Sequence, residues 1–323
     1  MRTLHFFRPI LWPLLALCSL AAVGRDFVVV PDDRASDLRV FTRDQHVLDG
    51  GAALQRMQDP DVLVVWVAGN QFFAMESVVR AFQKQHEAID VGVVTLPPGL
   101  LLRAVQAGGL TYRGHSYQRL PDIYGSVTTQ HLRQTGRIRS YVTYLHNSLE
   151  LIVASGNPKA VASLYDLVRP ELRVALPNPV NEGIMQVYAK PILQRLGLWS
   201  TLSPGEDCAS CDASPHVHFT SVHHREIPQR IRAGVADVGL VWRTEGIEAR
   251  AYGGLESVVL PVDQSAIEAA VYVAGLLDSS EQRNDAYAFL TFLVSAEGQA
   301  AYTAFGFLPA TEQERRIRKL TPE

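Results

Sequence analysis

Apolar and polar residues alternate in blocks along the chain, and these blocks predict strands and helices in turn. The run VLVVWVAGN, Val62–Asn70, is almost wholly apolar, as in a strand that is buried on both faces of a parallel sheet. After it, Phe72, Met75, Val79 and Phe82 recur at helical spacing, with charged residues on the opposite face. Similar strand and helix patterns follow as IDVGVVTL, GLLLRAVQAGG and PDIYGSVT. The alternation predicts a doubly wound α/β fold.

The same alternation restarts at SLELIVASGNP and continues through LRVALPNP, VHFTSV and ADVGLVW. A chain of 323 residues also exceeds the roughly 250–300 residues at which a single core stops growing. We therefore expect two α/β lobes. In open sheets of this kind, ligands bind beyond the carboxyl ends of the strands.

The N-terminus has the layout of a secretory signal. Arg2 and Arg8 precede an apolar run from Ile10 to Leu20, and Ala22-Val23-Gly24 fits a small-x-small cleavage site. The run is shorter than the about 20 residues that span a bilayer. We predict a cleaved signal peptide at 1–24 and a periplasmic location. A lipid anchor on Cys18 and an uncleaved anchor are the alternatives.

Composition and net charge limit the binding partners that we expect for this protein. Apolar residues make up 47% of the chain and charged residues 20%, which is typical of a globular protein. The net charge of −3 gives no electrostatic footprint for nucleic acid or for an anionic membrane. We expect neither as a partner.

The stretch CASCDASPHVHFTSVHHRE holds Cys208 and Cys211, which we expect to form a disulfide after export to an oxidising compartment. The alternatives are a zinc or copper site shared with the nearby histidines and, less favoured, a redox motif. In the strand HVHFTSV, His216 and His218 point to a polar face with Thr220. One ion cannot use every histidine, because the ends of this strand lie near 20 Å apart.

Three long segments, LELIVASGNPKAVASLYDLVRPELRVALPNP, IRAGVADVGLVW and AYAFLTFLVSAEGQAAYTAFGF, resemble periplasmic solute-binding proteins of ABC importers. Within that group they are most similar to the molybdate and tungstate binders, and the resemblance covers about Val62 to Pro309. It implies a type II periplasmic-binding-protein fold, with two lobes, a two-segment hinge and a ligand cleft between them. It also implies a receptor that captures a small oxyanion and delivers it to a membrane permease, without catalysis and without a cofactor.

The resemblance places the crossings between lobes near Tyr144–Leu149 and Pro261–Ala266. These crossings divide the chain into the first part of lobe 1 at 61–146, lobe 2 at 147–263 and the return part of lobe 1 at 264–312. We expect a signal peptide at 1–24 and an N-terminal extension at 25–60 before them, and a C-terminal tail at 313–323 after them.

Several strand-end loops open helices, whose first N–H groups and positive dipole end favour an anion. The ligand-binding residues that we predict on these loops are Asn70, Gly99, Ser126, Asn181, His223, His224, Arg225, Trp242 and Glu245. Asn70 matches a first-loop ligand of the family that is usually a serine or a similar small polar residue, and Trp242 lies where the family commonly has a tyrosine. The loop LPPGLL lacks the family's serine. Molybdate, tungstate, sulfate, phosphate and a small organic anion therefore stay open as ligands.

Two other functions are compatible with the same fold. A metal or metal-chelate receptor would use His223 and His224, with Glu226 or Glu245 as further ligands. A secreted enzyme or a sensory module is the third hypothesis, since fold alone does not decide function. The chain contains neither a G-x-S-x-G nucleophile motif nor a P-loop, so we expect no enzyme activity.

Overall fold

The computed structural model describes residues 37–112, 114–203, 216–221 and 223–321, together with the backbone of 28–30 and 212–214. The predicted signal peptide, Cys18, Cys208 and Cys211 lie outside the described residues, and so does the expected disulfide.

The strands in the described ranges are β1 (Val28–Val30), β2 (Leu38–Phe41), β3 (Val47–Asp49), β4 (Val62–Ala68), β5 (Asp90–Leu96), β6 (Leu110–Tyr112), β7 (His115–Tyr117), β8 (Ile123–Ser126), β9 (Ile138–His146), β10 (Leu149–Ala154), β11 (Val174–Leu176), β12 (Asp212–Ser214), β13 (Val217–Phe219), β14 (Val238–Trp242), β15 (Leu255–Val259), β16 (Val271–Leu277), β17 (Leu308–Pro309) and β18 (Arg318–Lys319).

The α-helices in the same ranges are α1 (Gly50–Arg56), α2 (Phe72–Gln83), α3 (Pro98–Ala107), α4 (Thr129–Gln134), α5 (Lys190–Arg195), α6 (Trp199–Leu202), α7 (Ile227–Arg232), α8 (Arg243–Ala251), α9 (Val262–Ser265), α10 (Arg283–Leu293) and α11 (Ala296–Thr303). Short 3₁₀ helices span Gly69–Gln71, Leu164–Val168 and His224–Glu226, and a π-helix spans Ile184–Ala189.

Among the described residues, nine strands form the larger sheet, in the order β17-β9-β16-β8-β4-β5-β2-β3, with β18 also paired to β9. Its centre is parallel, since β4 pairs in parallel with both β5 and β8. Every residue of β4 and β5 is buried, as the continuous apolar runs predict for strands covered on both faces.

The second sheet has six strands within the described ranges, in the order β12-β13-β11-β14-β10-β15. β11 pairs in parallel with β13 and β14, whereas β10 runs antiparallel to β14 and β15. A separate three-stranded sheet joins β1, β6 and β7. The predicted α/β class with two doubly wound lobes is confirmed.

The chain passes between the two large sheets twice. It leaves the larger sheet after His146 and enters the smaller one at Leu149, then returns between Val259 and Val271. These passages lie at the predicted crossings, while the lobe boundaries themselves stay predictions.

The expectation that the fold starts after residue 60 is wrong. β2 pairs with β5 through four residue pairs, and β3 and α1 pack beside it. β2 is buried along its whole length, so residues 38–56 extend the larger sheet instead of forming a loose extension. The predicted C-terminal tail likewise contributes β18, which pairs with β9.

Local sequence explains how the helices near the cleft begin and end. α2 buries Met75, Val78, Val79 and Phe82 on one face, which is the face that the sequence spacing predicts. α3 has proline in its first turn and ends at Gly108, whose φ of 84° is left-handed. No helix within the described part of the chain has both the length and the apolar character that crossing a membrane requires.

Candidate functional site

The loops that follow the strands of the two sheets meet in the cleft between them. A Cβ atom built on Gly69, after β4, would lie 2.7 Å from Cε1 of His223 in the second lobe. The N–H of Gly99, in the first turn of α3, donates to the carbonyl oxygen of Asn181 at 3.1 Å. The Arg103 guanidinium also donates to the side chain of Asn181. The lobes are thus in direct contact along these loops.

A third contact lies beside the first two. A Cβ atom on Gly183 would lie 2.6 Å from Cγ2 of Val127, the residue after β8. The buried hydroxyl of Tyr188, in the second lobe, donates to the carbonyl oxygen of Val127. Glycine at positions 69, 99 and 183 therefore permits backbone approaches that a side chain would block.

Amide and hydroxyl groups form a buried cluster where the chain crosses between lobes. Asn70 Nδ2 lies 2.5 Å from the Tyr272 hydroxyl, and Asn147 Nδ2 lies 3.2 Å from the same oxygen. Asn147 also donates to Thr244 Oγ1 at 3.1 Å, which ties the first crossing to the start of α8. Burial raises the pKa of Tyr272 well above its usual value, so this hydroxyl stays protonated.

Trp242, at the end of β14, packs against the same cluster. Its ring centroid lies 6.0 Å from that of Tyr272 and 5.5 Å from that of Tyr188. Trp242 itself has no hydroxyl, whereas the two tyrosine rings packed against it each carry one.

His224 lies between two buried carboxylates of the second lobe. Its Nδ1 is 2.6 Å from Glu182 Oε2, and its Nε2 is 2.6 Å from Glu245 Oε1. Burial alone lowers the pKa of His224, but the two carboxylates outweigh burial and raise the pKa to about 10. His224 is therefore an imidazolium at neutral pH, and neither ring nitrogen has a lone pair to offer a metal.

Asp37 joins the lobes through charge. It lies just before β2, is 1% exposed, and places Oδ2 3.1 Å from Nε2 of His223. Its other oxygen accepts from the guanidinium of Arg225, which also lies over the Phe72 ring, with Cζ 4.5 Å from the ring centroid. Burial by itself raises the pKa of Asp37, but His223 and Arg225 together lower it. Asp37 is thus a buried carboxylate held by two residues of the opposite lobe.

His223 differs from its neighbour in charge. Burial, together with the charge of Arg225, lowers the pKa of His223, so the ring is neutral at pH 7. Because its Nε2 faces the Asp37 carboxylate, the proton is assigned to Nε2 and Nδ1 is left with a lone pair. Among the described residues, Nδ1 has no hydrogen-bond partner, although it is fully buried.

The first turn of α3 offers few donors. Pro97 and Pro98 have no N–H group, Gly99 donates to Asn181, and the N–H groups of Leu100 and Leu101 donate to Pro97 O. In this arrangement Gly99 joins the lobes, and its amide is not left open to a ligand.

Ser126 lies at the end of β8 and bonds within its own lobe. Its Oγ is 2.9 Å from Nδ1 of His131, whose pKa is lowered to about 4 by burial. A neutral His131 can accept a hydrogen bond from the Ser126 hydroxyl or donate one to its oxygen.

The predicted residues thus separate into groups with different contacts. Four of them contact the opposite lobe directly, namely Gly99, Asn181, His223 and Arg225. Two others, Asn70 and Trp242, both contact Tyr272. His224 and Glu245 pair inside the second lobe, and Ser126 bonds to His131. The ligand-binding roles of these residues stay predictions.

Four residues of the cleft were missed, namely Asp37, Asn147, Glu182 and Tyr272. Glu182 lies in a predicted loop, PNPVNEG, where a charged residue flanked by small and polar ones could have been noticed. Tyr272 lies within the apolar run AVYVAGLL, where nothing separates it from an ordinary core tyrosine. Within the described residues, no group of three or more His, Cys, Asp or Glu side chains has the arrangement needed for a metal ion.

Comparison with protein families shows one match over most of the chain. The family model described as bacterial extracellular solute-binding protein matches residues 63–308. The resemblance to the molybdate-binding group is confirmed by curated relatives. A molybdate-binding protein ModA of Mycobacterium bovis is 23% identical over 240 residues, which are 73% of this chain and 82% of that protein.

A sulfate-binding protein of Synechococcus elongatus is 28% identical over 179 residues, or 53% of this chain. The match spans 49% of that relative's length. Among solved structures, the periplasmic molybdate-binding protein of Azotobacter vinelandii matches with a TM-score of 0.59 at 18% identity, covering 77% of this chain and 100% of that one. This structural match shows the shared fold.

Proposed function

Because the chain belongs to the bacterial extracellular solute-binding proteins, we propose that it is a periplasmic receptor that captures a small oxyanion between its lobes and delivers it to an ABC permease. One observation carries the proposal: the strand-end loops of both sheets, several of which begin helices, meet in one cleft. The names of the molybdate-binding and sulfate-binding relatives support an oxyanion as the ligand.

The first lobe supplies the donors in this proposal. Gly69, Asn70 and Gln71 begin a 3₁₀ helix that continues into α2, and the first N–H groups of a helix have no partner within it. The positive end of the helix dipole lies at the same place. The Asn70 side chain adds an amide group beside these N–H groups.

Only a few such contacts are needed. A dissociation constant of about 1 μM corresponds to about 8 kcal/mol, and a hydrogen bond to a charged group contributes roughly 1.5–3 kcal/mol. Four or five donors around one oxyanion therefore suffice.

Capture requires movement about the two chain crossings but no bond chemistry. When the lobes close, Asp37 meets His223 and Arg225, and Gly99 meets Asn181. These contacts exclude water from the ligand and stabilise the closed form. A permease would then recognise the closed receptor.

A thermal-shift panel tests the proposal. We expect at least one of molybdate, tungstate, sulfate and phosphate to raise the melting temperature, because a ligand at about 100 times its dissociation constant adds about 2.7 kcal/mol of stability. Asn70→Asp should abolish this rise, since it places a carboxylate among the proposed donors. Asn284→Asp, on the exposed side of α10, adds the same charge away from the cleft and should leave the rise unchanged. Stabilisation by divalent metals alone would contradict the proposal.

A further inference from the structure

One side chain of the second lobe presents a hydrogen-bond acceptor to the first lobe. His223 Nδ1 is a buried nitrogen without a hydrogen-bond partner among the described residues. It lies 2.9 Å from the position that a Cβ of Gly69 would take, beside the loop that carries the proposed donors. The Asp37 carboxylate at Nε2 fixes the tautomer, so the nitrogen that faces the first lobe is the one without a proton.

Glu245 does not add a second free acceptor. Its Oε2 accepts from the Trp242 N–H at 3.2 Å, and its Oε1 lies 2.6 Å from Nε2 of the His224 imidazolium. His223 Nδ1 is therefore the acceptor on which the inference depends.

The charges of the second lobe do not favour a bare dianion. The single imidazolium of His224 lies between two carboxylates, Glu182 and Glu245, which leaves this group of three with an excess negative charge. Arg225 is already paired with Asp37. An oxyanion without a proton would set its lone pairs against that of His223 Nδ1.

From these contacts we propose that the ligand is an oxyanion that keeps an O–H group at neutral pH, as hydrogen phosphate does. This inference rests on the proposed function and narrows it. The oxyanion accepts hydrogen bonds from the Gly69–Gln71 helix start and donates its own O–H hydrogen bond to His223 Nδ1. Sulfate and molybdate have no proton to donate at pH 7, so a buried acceptor stays unsatisfied when either one binds.

Isothermal titration calorimetry of the full chain at pH 7 tests the inference, with inorganic phosphate, sulfate and molybdate as probes. We expect phosphate to bind about tenfold to a hundredfold more tightly than sulfate or molybdate, the range expected when one buried polar group is left unpaired. Sulfate or molybdate binding as tightly as phosphate would overturn this inference and leave the proposed function intact. Failure of all three to bind would overturn both.

A variant locates the preference at His223. His223→Phe removes the Nδ1 acceptor, so the phosphate-to-sulfate preference should fall about tenfold. His115→Phe, at an exposed position on β7, is the matched control and should keep the wild-type ratio. An unchanged ratio in His223→Phe would overturn the inference. If that variant does not fold, the wild-type ratio alone decides the inference.

Discussion

Adjacent histidines have opposite protonation states in this cleft, and their neighbours cause the difference. His224 lies between Glu182 and Glu245 and is charged, whereas His223 lies beside Arg225 and is neutral. Both side chains are buried. Burial favours the neutral form of each ring, so the number of adjacent carboxylates decides which ring keeps a proton.

Replacing His224 should destabilise the fold. His224→Gln leaves Glu182 and Glu245 buried without a cation between them, and breaking a buried charge pair in this way costs about 3–5 kcal/mol. Urea denaturation measures the loss. The exposed His115→Gln on β7 is the control and should leave the free energy of unfolding within about 0.5 kcal/mol of wild type. Equal stabilities of the two variants would show that the Glu182–His224–Glu245 contacts contribute nothing.

The same histidine predicts a pH dependence. Folding raises its pKa from 6.5 to about 10, so the folded chain keeps a proton that the unfolded chain releases in this window. The stability from His224 is complete below pH 6.5 and is lost as the pH rises toward 10. We expect the free energy of unfolding of the wild type to fall with pH more steeply than that of His224→Gln, as measured by urea denaturation at several pH values. Parallel curves would contradict a raised pKa.

The sequence predicts some of these residues and not others, for local reasons. His223 and His224 lie between β13 and α7, and this position between a strand and a helix is enough to predict them in the cleft. Asp37 precedes a strand of only four residues in a polar segment, so neither hydrophobic periodicity nor strand length distinguishes it in the sequence. Its role depends on contact with residues 186 and 188 positions away, which local patterns do not encode.

The start of α3 acts as a junction between lobes. The double proline removes two donors, and Gly99 brings the helix backbone against Asn181. The loop LPPGLL departs from the serine-bearing pattern of the resembling family, and the structure shows what its glycine does here. The first turn of α3 therefore joins the lobes through the Gly99–Asn181 hydrogen bond.

Gly99→Ala should weaken the proposed closure of the lobes without lowering the stability of the fold. The added Cβ would lie 2.9 Å from the Asn181 carbonyl oxygen in the closed form, while alanine favours a helix over glycine by about 0.5–1 kcal/mol. We expect an unchanged or slightly higher melting temperature and an oxyanion affinity at least about tenfold weaker, by calorimetry. Gly51→Ala in α1 meets only an ordinary contact, 3.5 Å from Tyr112, and should bind as wild type does. Normal binding by Gly99→Ala would show that this contact is not needed for closure.

Strand and helix patterns predict the centre of each sheet better than its edges. β4 and β5 are long, apolar and buried throughout, so their sequence marks them clearly. β2 and β3 have four and three residues in a polar region, and their pairing with β5 comes from tertiary contacts. The structured part of the chain therefore begins earlier than the sequence predicts.

Over the whole molecule, the N-terminal region completes the contact between the lobes. Asp37 lies before residue 63, where the match to the family model begins, yet it pairs with two residues of the opposite lobe. In the proposed closure, opening of the lobes leaves Arg225 without this partner.

Asp37→Asn should shift the receptor toward the open form. The amide keeps the shape but loses the charge, and we expect the oxyanion dissociation constant to rise about tenfold or more, measured by calorimetry. Asp44→Asn changes an exposed aspartate and serves as the control. An Asp37→Asn affinity equal to wild type would show that the pairing does not contribute to closure.

Small-angle X-ray scattering of the full chain, with and without the oxyanion that stabilises it most, is the most direct measurement of a receptor that closes over its ligand. Saturating ligand should lower the radius of gyration of the wild type, and that of Gly99→Ala should fall much less. A wild-type radius that no oxyanion changes, or a change produced only by divalent metals, would contradict an oxyanion held between closing lobes.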